Sequence, residues 1–460
     1  MKVAVLLVFW CLCSDCQGSG DVVITIVTPD SPWHTQQAVR KQEQWSKHGA
    51  TVILSTQLST EGAPWTLTPL LAPLAEGYGS ALWFVLVTEW TLVNVDQLDT
   101  ALSTYDPHKE WYIGHSVEDS EPVIVHHFNT PHSLAFPLLH SGIILSAPAL
   151  KRMATLSGSF NPSFNIDPVF EFSLFLKYLH TPVYKELHPS PSPPHPDGLL
   201  LTHLPALCTT PLTPHCATGV SLQQNCSGRL NVESVFFAVK TCGKFHKTRL
   251  PVVWDTWAAG LPESCIGYYS DFADERFKTT SLGIPNTEKG HCGKMAAILQ
   301  LFEREQMTHD WLVVADDDTL LSVDRLLEVL RCYDSSRPVL MGDLYGYTAH
   351  RVGGSSFVSG GGSMVLSSVA VRSFVSTGQR CPTRDYADDM LLGMAAKSLG
   401  WDVVQSPFFH QDQPRSYPQA VIEAQKAVSF HRHSPMDPAT VYSQYLSTEH
   451  ETLRDKKTEL

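Results

Sequence analysis

Positive charge is scarce: 33 Lys and Arg against 46 Asp and Glu leave a net charge of −13 over 460 residues. Binding a polyanion needs a basic face that neutralises phosphates and releases counterions, so nucleic acid is excluded as a partner. Charge of either sign is limited to 17%, against 43% hydrophobic residues, which describes a well-packed globular chain. Its length exceeds what one ordinary core fills, so two domains are expected. Long apolar runs are also missing. Val3 to Cys13, in "MKVAVLLVFWCLCSDCQGSG", would reach only about 16 Å as a helix, roughly half a bilayer's hydrocarbon core. A cleaved secretory signal over residues 1–20 fits this stretch, with a short type II anchor as the alternative.

Of the 11 cysteines, Cys11, Cys13 and Cys16 fall in or beside the signal. Cys208, Cys216, Cys226, Cys242, Cys265, Cys292, Cys332 and Cys381 remain, an even set that suggests disulfides in a secretory chain. Spacing does not reveal the pairing, and buried free thiols are the alternative. "NCS" at Asn225 is an N-glycosylation acceptor of the same compartment. The final Lys457, Thr458, Glu459 and Leu460 resemble a retrieval signal of the endoplasmic reticulum, which implies the lumen of that compartment and a retrieval receptor as partner.

The chain repeats itself. "WFVLVTEWTLVNVDQL" (83–98) and "WLVVADDDTLLSVDRL" (311–326) run in step at an offset of 228 (311 − 83). Upstream, Val27, His34 and Trp45 match Val239, His246 and Trp257 at 212 (239 − 27); downstream, Leu145 meets Leu366 at 221 (366 − 145). Such register argues for duplication. Two related domains are expected at 21–185 and 233–445, joined by a Pro-rich linker over 186–232, with a tail at 446–460. Short apolar strands alternate with amphipathic segments such as "SVDRLLEVLRCY", with Val323, Leu326, Leu327 and Leu330 on one face. The pattern predicts an α/β fold around mixed, largely parallel sheets, with ligands beyond the carboxyl ends of strands.

Asp316, Asp317 and Asp318 follow a buried strand directly. Adjacent carboxylates there need a cation, and strand alternation places Asp316 and Asp318 on one side as hard ligands for Mn²⁺ or Mg²⁺. An acidic surface loop is the alternative. Gly360, Gly361 and Gly362 let backbone approach a bulky ligand, unless they merely turn a hairpin. In "RDYADDMLLGM", Asp388 and Asp389 open a helix, as a general base with raised pKa or as helix-capping acids. His410 in "SPFFHQDQP" is a candidate ligand, with His431 and His433 competing.

Together, "FFAVKTCGKFHKTR", "WLVVADDDTLLSVDRL", "GGGSMVLS", "ADDMLLG" and "SPFFHQDQP" resemble the Fringe-related β-1,3-glycosyltransferases, over nearly the whole chain and most strongly over 233–445. The two-domain layout, "LGIPNTEKGHCGK" and the C-terminus most resemble the branch that extends O-linked fucose with glucose on thrombospondin type 1 repeats. The resemblance implies two tandem GT-A-like domains, the first degenerate. It also implies inverting transfer from UDP-glucose to the 3-hydroxyl of fucose on fucosylated thrombospondin repeats. Asp318 and His410 would ligate Mn²⁺, Asp316 and Asp317 serve the nucleotide sugar, and Lys240 and Thr241 lie at the nucleotide. Asp389 would be the base, with Asp388 second. Galactose or N-acetylglucosamine donors use the same machinery, and a non-catalytic lectin or folding factor is the alternative of another class. The first half, with Thr88, Glu89 and Trp90 in place of the acids, is expected to hold or orient the acceptor.

Overall fold

The computed structural model describes residues 21–448 except 59–61, 122, 128–133, 162–164, 180–200, 223–225, 384, 424 and 433. The signal segment, the densest Pro run, Asn225, His433 and the C-terminal tetrapeptide therefore lie outside the described residues.

The first half contributes β1 (Val22–Ile26), β2 (Thr51–Leu54), β3 (Trp83–Val87), β4 (Thr91–Val93), β5 (Tyr112–Gly114), β6 (Ser116–Val117), β7 (Phe136–Pro137), β8 (Ile143–Ser146), β9 (Thr202–His203) and β10 (Thr218–Val220). Six strands form one sheet in the order β2-β1-β3-β8-β5-β9, in which only β8 runs antiparallel to its neighbours. The second half supplies β11 (Val235–Lys240), β12 (Ile266–Ser270), β13 (Thr279–Ser281), β14 (Trp311–Asp316), β15 (Thr319–Leu321), β16 (Val339–Gly342), β17 (Leu344–Tyr347), β18 (Ser355–Val358), β19 (Met364–Ser367), β20 (Asp402–Gln405) and β21 (Ser429–His431). Its main sheet has the order β13-β12-β11-β14-β19-β16-β20, with β19 antiparallel. Apart from the extra edge strand β13, the two orders coincide. These are tandem α/β domains of matching strand order.

The correspondence reaches single residues. Trp83 pairs with Ser146 and Trp311 with Ser367. Both serines then cap the following helix, accepting from Ala149 N–H and Ala370 N–H. Val22 lies opposite Trp83 and Val235 opposite Trp311, so the first strands correspond at 213 (235 − 22) rather than 212. Long apolar runs such as "WLVV" form fully buried strands because helices cover both faces of a mainly parallel sheet. The helix Val323–Leu330 buries Val323, Leu326, Val329 and Leu330; Val329 takes the place expected for Leu327, which is only partly covered.

The segment expected as a linker is partly structure. Thr202–His203 joins the sheet beside β5, Thr218–Val220 pairs with β4, and Cys208–Cys216 closes the loop between them. Proline density misled here because Pro205, Pro211 and Pro214 fall in the loop between β9 and β10, outside both strands. Cys226–Cys332 and Cys292–Cys381 are also bridged, while Cys242 and Cys265 are buried free thiols.

The halves are closely joined. Trp90 of the first half lies in the second half's core, with its ring against Phe408. Trp65 Nε1 donates to Ser356 Oγ at 3.2 Å, and His350 Nδ1 lies 2.9 Å from Glu171. Buried His34 accepts at Nε2 from Gln405 N–H at 2.9 Å, which leaves Nδ1–H to donate to Glu89. Replacing His34 by Ala strands a buried carboxylate and a backbone donor. Loss of about 1–3 kcal/mol of stability is expected in urea unfolding; a change under about 0.5 kcal/mol, as for an ordinary surface site, would show that this contact does not join the halves.

Candidate active site

The acid triplet sits where parallel strands β11 and β14 end side by side, with Lys240 opposite Asp316. Strand β14 stops at Asp316, and Asp317 and Asp318 form the tight turn into β15. The turn, rather than the strand alternation expected, brings Asp316 and Asp318 to one ligand cluster. Asp317 points inward, accepting from Thr241 Oγ1 at 2.6 Å and Arg249 Nη1 at 2.8 Å. Burial pushes its carboxyl up to about 6, against the pull of Thr241 and Arg249.

Asp316, Asp318 and His431 each offer an atom within 4.8 Å of the others. His431 arrives on β21, paired across from Thr319. Its Nδ1 lies 3.1 Å from Gln411 O and its Nε2 3.2 Å from Asp318 Oδ1. If Nδ1 carries the proton to the carbonyl, the Nε2 lone pair faces the carboxylates. Two hard oxygens and one imidazole nitrogen fit Mn²⁺ or Mg²⁺. In the triple glycine, Gly361 has a specific reason to lack a side chain: a Cβ would stand 2.5 Å from His431 Nδ1. Gly362 lies against the His410 backbone and Gly360 only loosely near Asp388.

The expected ligand His410 is elsewhere. It is stacked on Phe430 at 4.8 Å with Tyr417 on another side, and burial drives its imidazole down to about 4. It falls outside the ligand group, so the histidine facing the acids is His431. "PFFH" reads as a strand end, but residues 407–410 are irregular, and β21 carries the histidine to β15.

Lys240, 5% exposed, bonds Asp388 and lies 3.0 Å from Asp316. Burial opposes its charge, but Asp316 and Asp388 outweigh this and hold it protonated. Asp388, likewise desolvated, is held below the carboxylate range by Lys240. Asp389 has no such cation: burial and the neighbouring Asp388 push it up to about 7.

The site also contains groups that the sequence reading left without a role. Arg249 Nη1 bridges Asp317 and Asp318 at 2.8 and 2.9 Å. Lys294 donates to Thr241 O and Asn286 Oδ1, both at 2.7 Å. Gly290, at φ +57°, packs so closely on the carbonyls of Asp385 and Tyr386 that a Cβ would lie 2.3 Å away. The phrase "LGIPNTEKGHCGK" thus braces the approach to Asp388, helped by Cys292–Cys381. Arg249 ends "FFAVKTCGKFHKTR", and nothing local distinguishes it from the basic residues before it.

A Fringe-like family model matches residues 34–164 and 230–452. Beta-1,3-glucosyltransferase of Mus musculus is 36% identical over 454 residues, 95% of this chain and 89% of that protein. Its Homo sapiens namesake is 36% identical over 453 residues, covering 95% and 87%. Beta-1,3-N-acetylglucosaminyltransferase radical fringe of Xenopus laevis is 28% identical over 137 residues, covering 28% and 39%. These matches set aside the lectin alternative. The chain belongs to the Fringe-like family and is a β-1,3-glycosyltransferase.

Proposed function

We propose that the chain transfers glucose from UDP-glucose, with inversion and with Mn²⁺ or Mg²⁺, to the 3-hydroxyl of O-linked fucose on thrombospondin type 1 repeats in the lumen of the endoplasmic reticulum. The observation that carries the chemistry is the convergence of Asp316, Asp318 and His431 within 4.8 Å, with Asp389 near Lys240 and Asp316 in the same electrostatic cluster. The donor and acceptor rest on the resemblance and on the glucosyltransferase relatives.

In this reading Asp389 takes the proton of the fucose hydroxyl as its oxygen attacks the anomeric carbon. The bond to UDP breaks on the opposite face, and its electron pair leaves with the diphosphate. Asp389 suits the task because a carboxyl near 7 is ionised in a useful fraction and basic enough to receive the proton. Asp388, held by Lys240, is a weaker base and positions that lysine. Arg249 and Lys240 offset negative charge at the site. A divalent cation held by Asp316, Asp318 and His431 would neutralise charge on the diphosphate.

The test is transfer by the whole chain from UDP-glucose, UDP-galactose and UDP-N-acetylglucosamine to a fucosylated thrombospondin repeat, with EDTA and with added Mn²⁺. Glucose transfer that EDTA abolishes and Mn²⁺ restores is expected. Preference for UDP-N-acetylglucosamine would remove the glucose assignment, and undiminished turnover in EDTA would remove the metal.

A further inference from the structure

A second pocket lies between the halves, with a cavity volume of about 210 Å³. Val27, Thr88, Glu89, Trp90 and Asp167 of the first half line it. The first four correspond to Lys240, Asp316, Asp317 and Asp318, Val27 by strand register at 213 (240 − 27) and the other three at 228 (316 − 88); Pro168, which also lines the pocket, opens its helix as Asp388 opens the matching one, at 220 (388 − 168). The pocket therefore occupies, in the first half, the place that the active site occupies in the second.

What has changed there is its charge. Lysine has become Val27, and the two ligand acids have become Thr88 and Trp90. Strand β10 pairs Val220 with Thr91 as β21 pairs His431 with Thr319, so Val220 stands where the histidine ligand would be. No Lys or Arg is among the described residues lining the pocket. A nucleoside diphosphate would meet no counterpart of Lys240 or of the acid cluster there, because His126, raised to about 9, is already paired with Asp119 and Asp167, and the cavity is smaller than the roughly 300–1,000 Å³ that larger ligands take.

The lining is nevertheless built for hydrogen bonds. His410, 4% exposed, and Trp90, 5% exposed, both line the cavity. Trp90 Nε1 is buried without a hydrogen-bond partner among the described residues, while the imidazole of His410 has the Gln425 side chain as its hydrogen-bonding neighbour. Buried polar atoms left in this state cost free energy unless a ligand or water pairs with them. Glu89 and Asp343 add carboxyl groups, and Trp65, Phe136 and Tyr345 add aromatic surface. Hydrogen-bonding groups beside aromatic faces, with the one histidine held protonated here, His126, already neutralised by Asp119 and Asp167, suit an uncharged polyhydroxylated ring.

We infer that this pocket is a second sugar site, which binds one neutral hexose or deoxyhexose unit between the two halves and takes no part in the chemistry. The assignment does not depend on the donor used at the active site. The sugar could belong to the acceptor glycan or be free in solution, which the test separates.

Saturation-transfer NMR of the whole chain, with Mg²⁺ and excess UDP filling the active site, is run with the methyl glycosides of α-fucose, β-glucose, β-galactose and β-N-acetylglucosamine, and with glycerol. At least one glycoside is expected to give a signal that UDP does not displace. Its Kd should rise at least about tenfold in both Trp90→Phe and Gln425→Leu, while Mg²⁺–UDP affinity stays at the wild-type value. Preference for the fucoside identifies the acceptor's own sugar; preference for another glycoside identifies a free one. No glycoside signal, complete displacement by UDP, an equal signal from glycerol, or wild-type binding in Gln425→Leu would each overturn the site. Gln425 is only partly buried outside the main cores, so that variant keeps the test valid even if Trp90→Phe disturbs packing.

Discussion

Asp389→Asn lowers transfer by about 10²- to 10⁴-fold, the usual contribution of a positioned base, while UDP affinity in the presence of Mn²⁺ stays near wild type. The reason lies in the contrast within one helix turn. Asp388 and Asp389 both open the helix Asp388–Leu399, and both are desolvated. Only Asp388 is bonded to Lys240, and its carboxyl is held low. Asp389 is raised to about 7 by burial and by Asp388. Activity must then climb as pH rises through about 7, because the base acts only when ionised.

Stability has the opposite sense for Asp389. A carboxyl whose folded pKa lies above its unfolded value binds its proton more tightly when folded, so its contribution is fully present at low pH and is lost as pH rises through about 7. Asp389→Asn removes that loss, which begins above the unfolded value of 3.8 and is complete above about 7, so the variant should gain more thermal stability relative to wild type at pH 8 than at pH 5. Asp388→Asn also loses activity but for another reason, since it leaves buried Lys240 with Asp316 as its remaining ion-pair partner, and its thermal midpoint should fall. Transfer by Asp389→Asn at the wild-type rate, or a pH profile flat between 6 and 8, would move the base elsewhere.

Much of this site could be read from residue order. The strand before the acids, the duplication, and the change from Asp318 to Trp90 all follow from apolar runs and a fixed offset, because strand and helix periods are local properties. What sequence could not supply was the third dimension of the second half's end. Three histidines competed, and the choice depended on which one a short antiparallel pairing would carry to β15. That pairing joins residues more than a hundred positions apart (431 − 319 = 112), beyond any local pattern. The same blindness hid β9 and β10 in a proline-rich stretch. It also hid the fact that Val220 completes the loss begun by Thr88 and Trp90: counterparts of all three candidate metal ligands have gone from the first half.

The assignment of the histidine leads to the second large effect. His431→Ala should raise the Mn²⁺ concentration needed for half-maximal transfer by more than about 100-fold, beyond the 10- to 100-fold range typical of outer-shell partners. His410→Phe should leave that requirement within about twofold, below even that range. The first variant removes an atom that stands 3.2 Å from Asp318. The second replaces a neutral ring that lies 4.8 Å from both Phe430 and Tyr417 with another aromatic of similar shape. His410→Phe keeps an aromatic ring in the same stack, so its thermal midpoint should stay close to wild type. Titrating transfer against Mn²⁺ in the two variants side by side decides the matter. A shift in His410→Phe with none in His431→Ala would restore His410 as the ligand and require β21 to leave β15 when metal binds. A shift in both would place the two histidines in one responsive unit, joined through the Ser429–Phe430–His431 strand on which His410 rests.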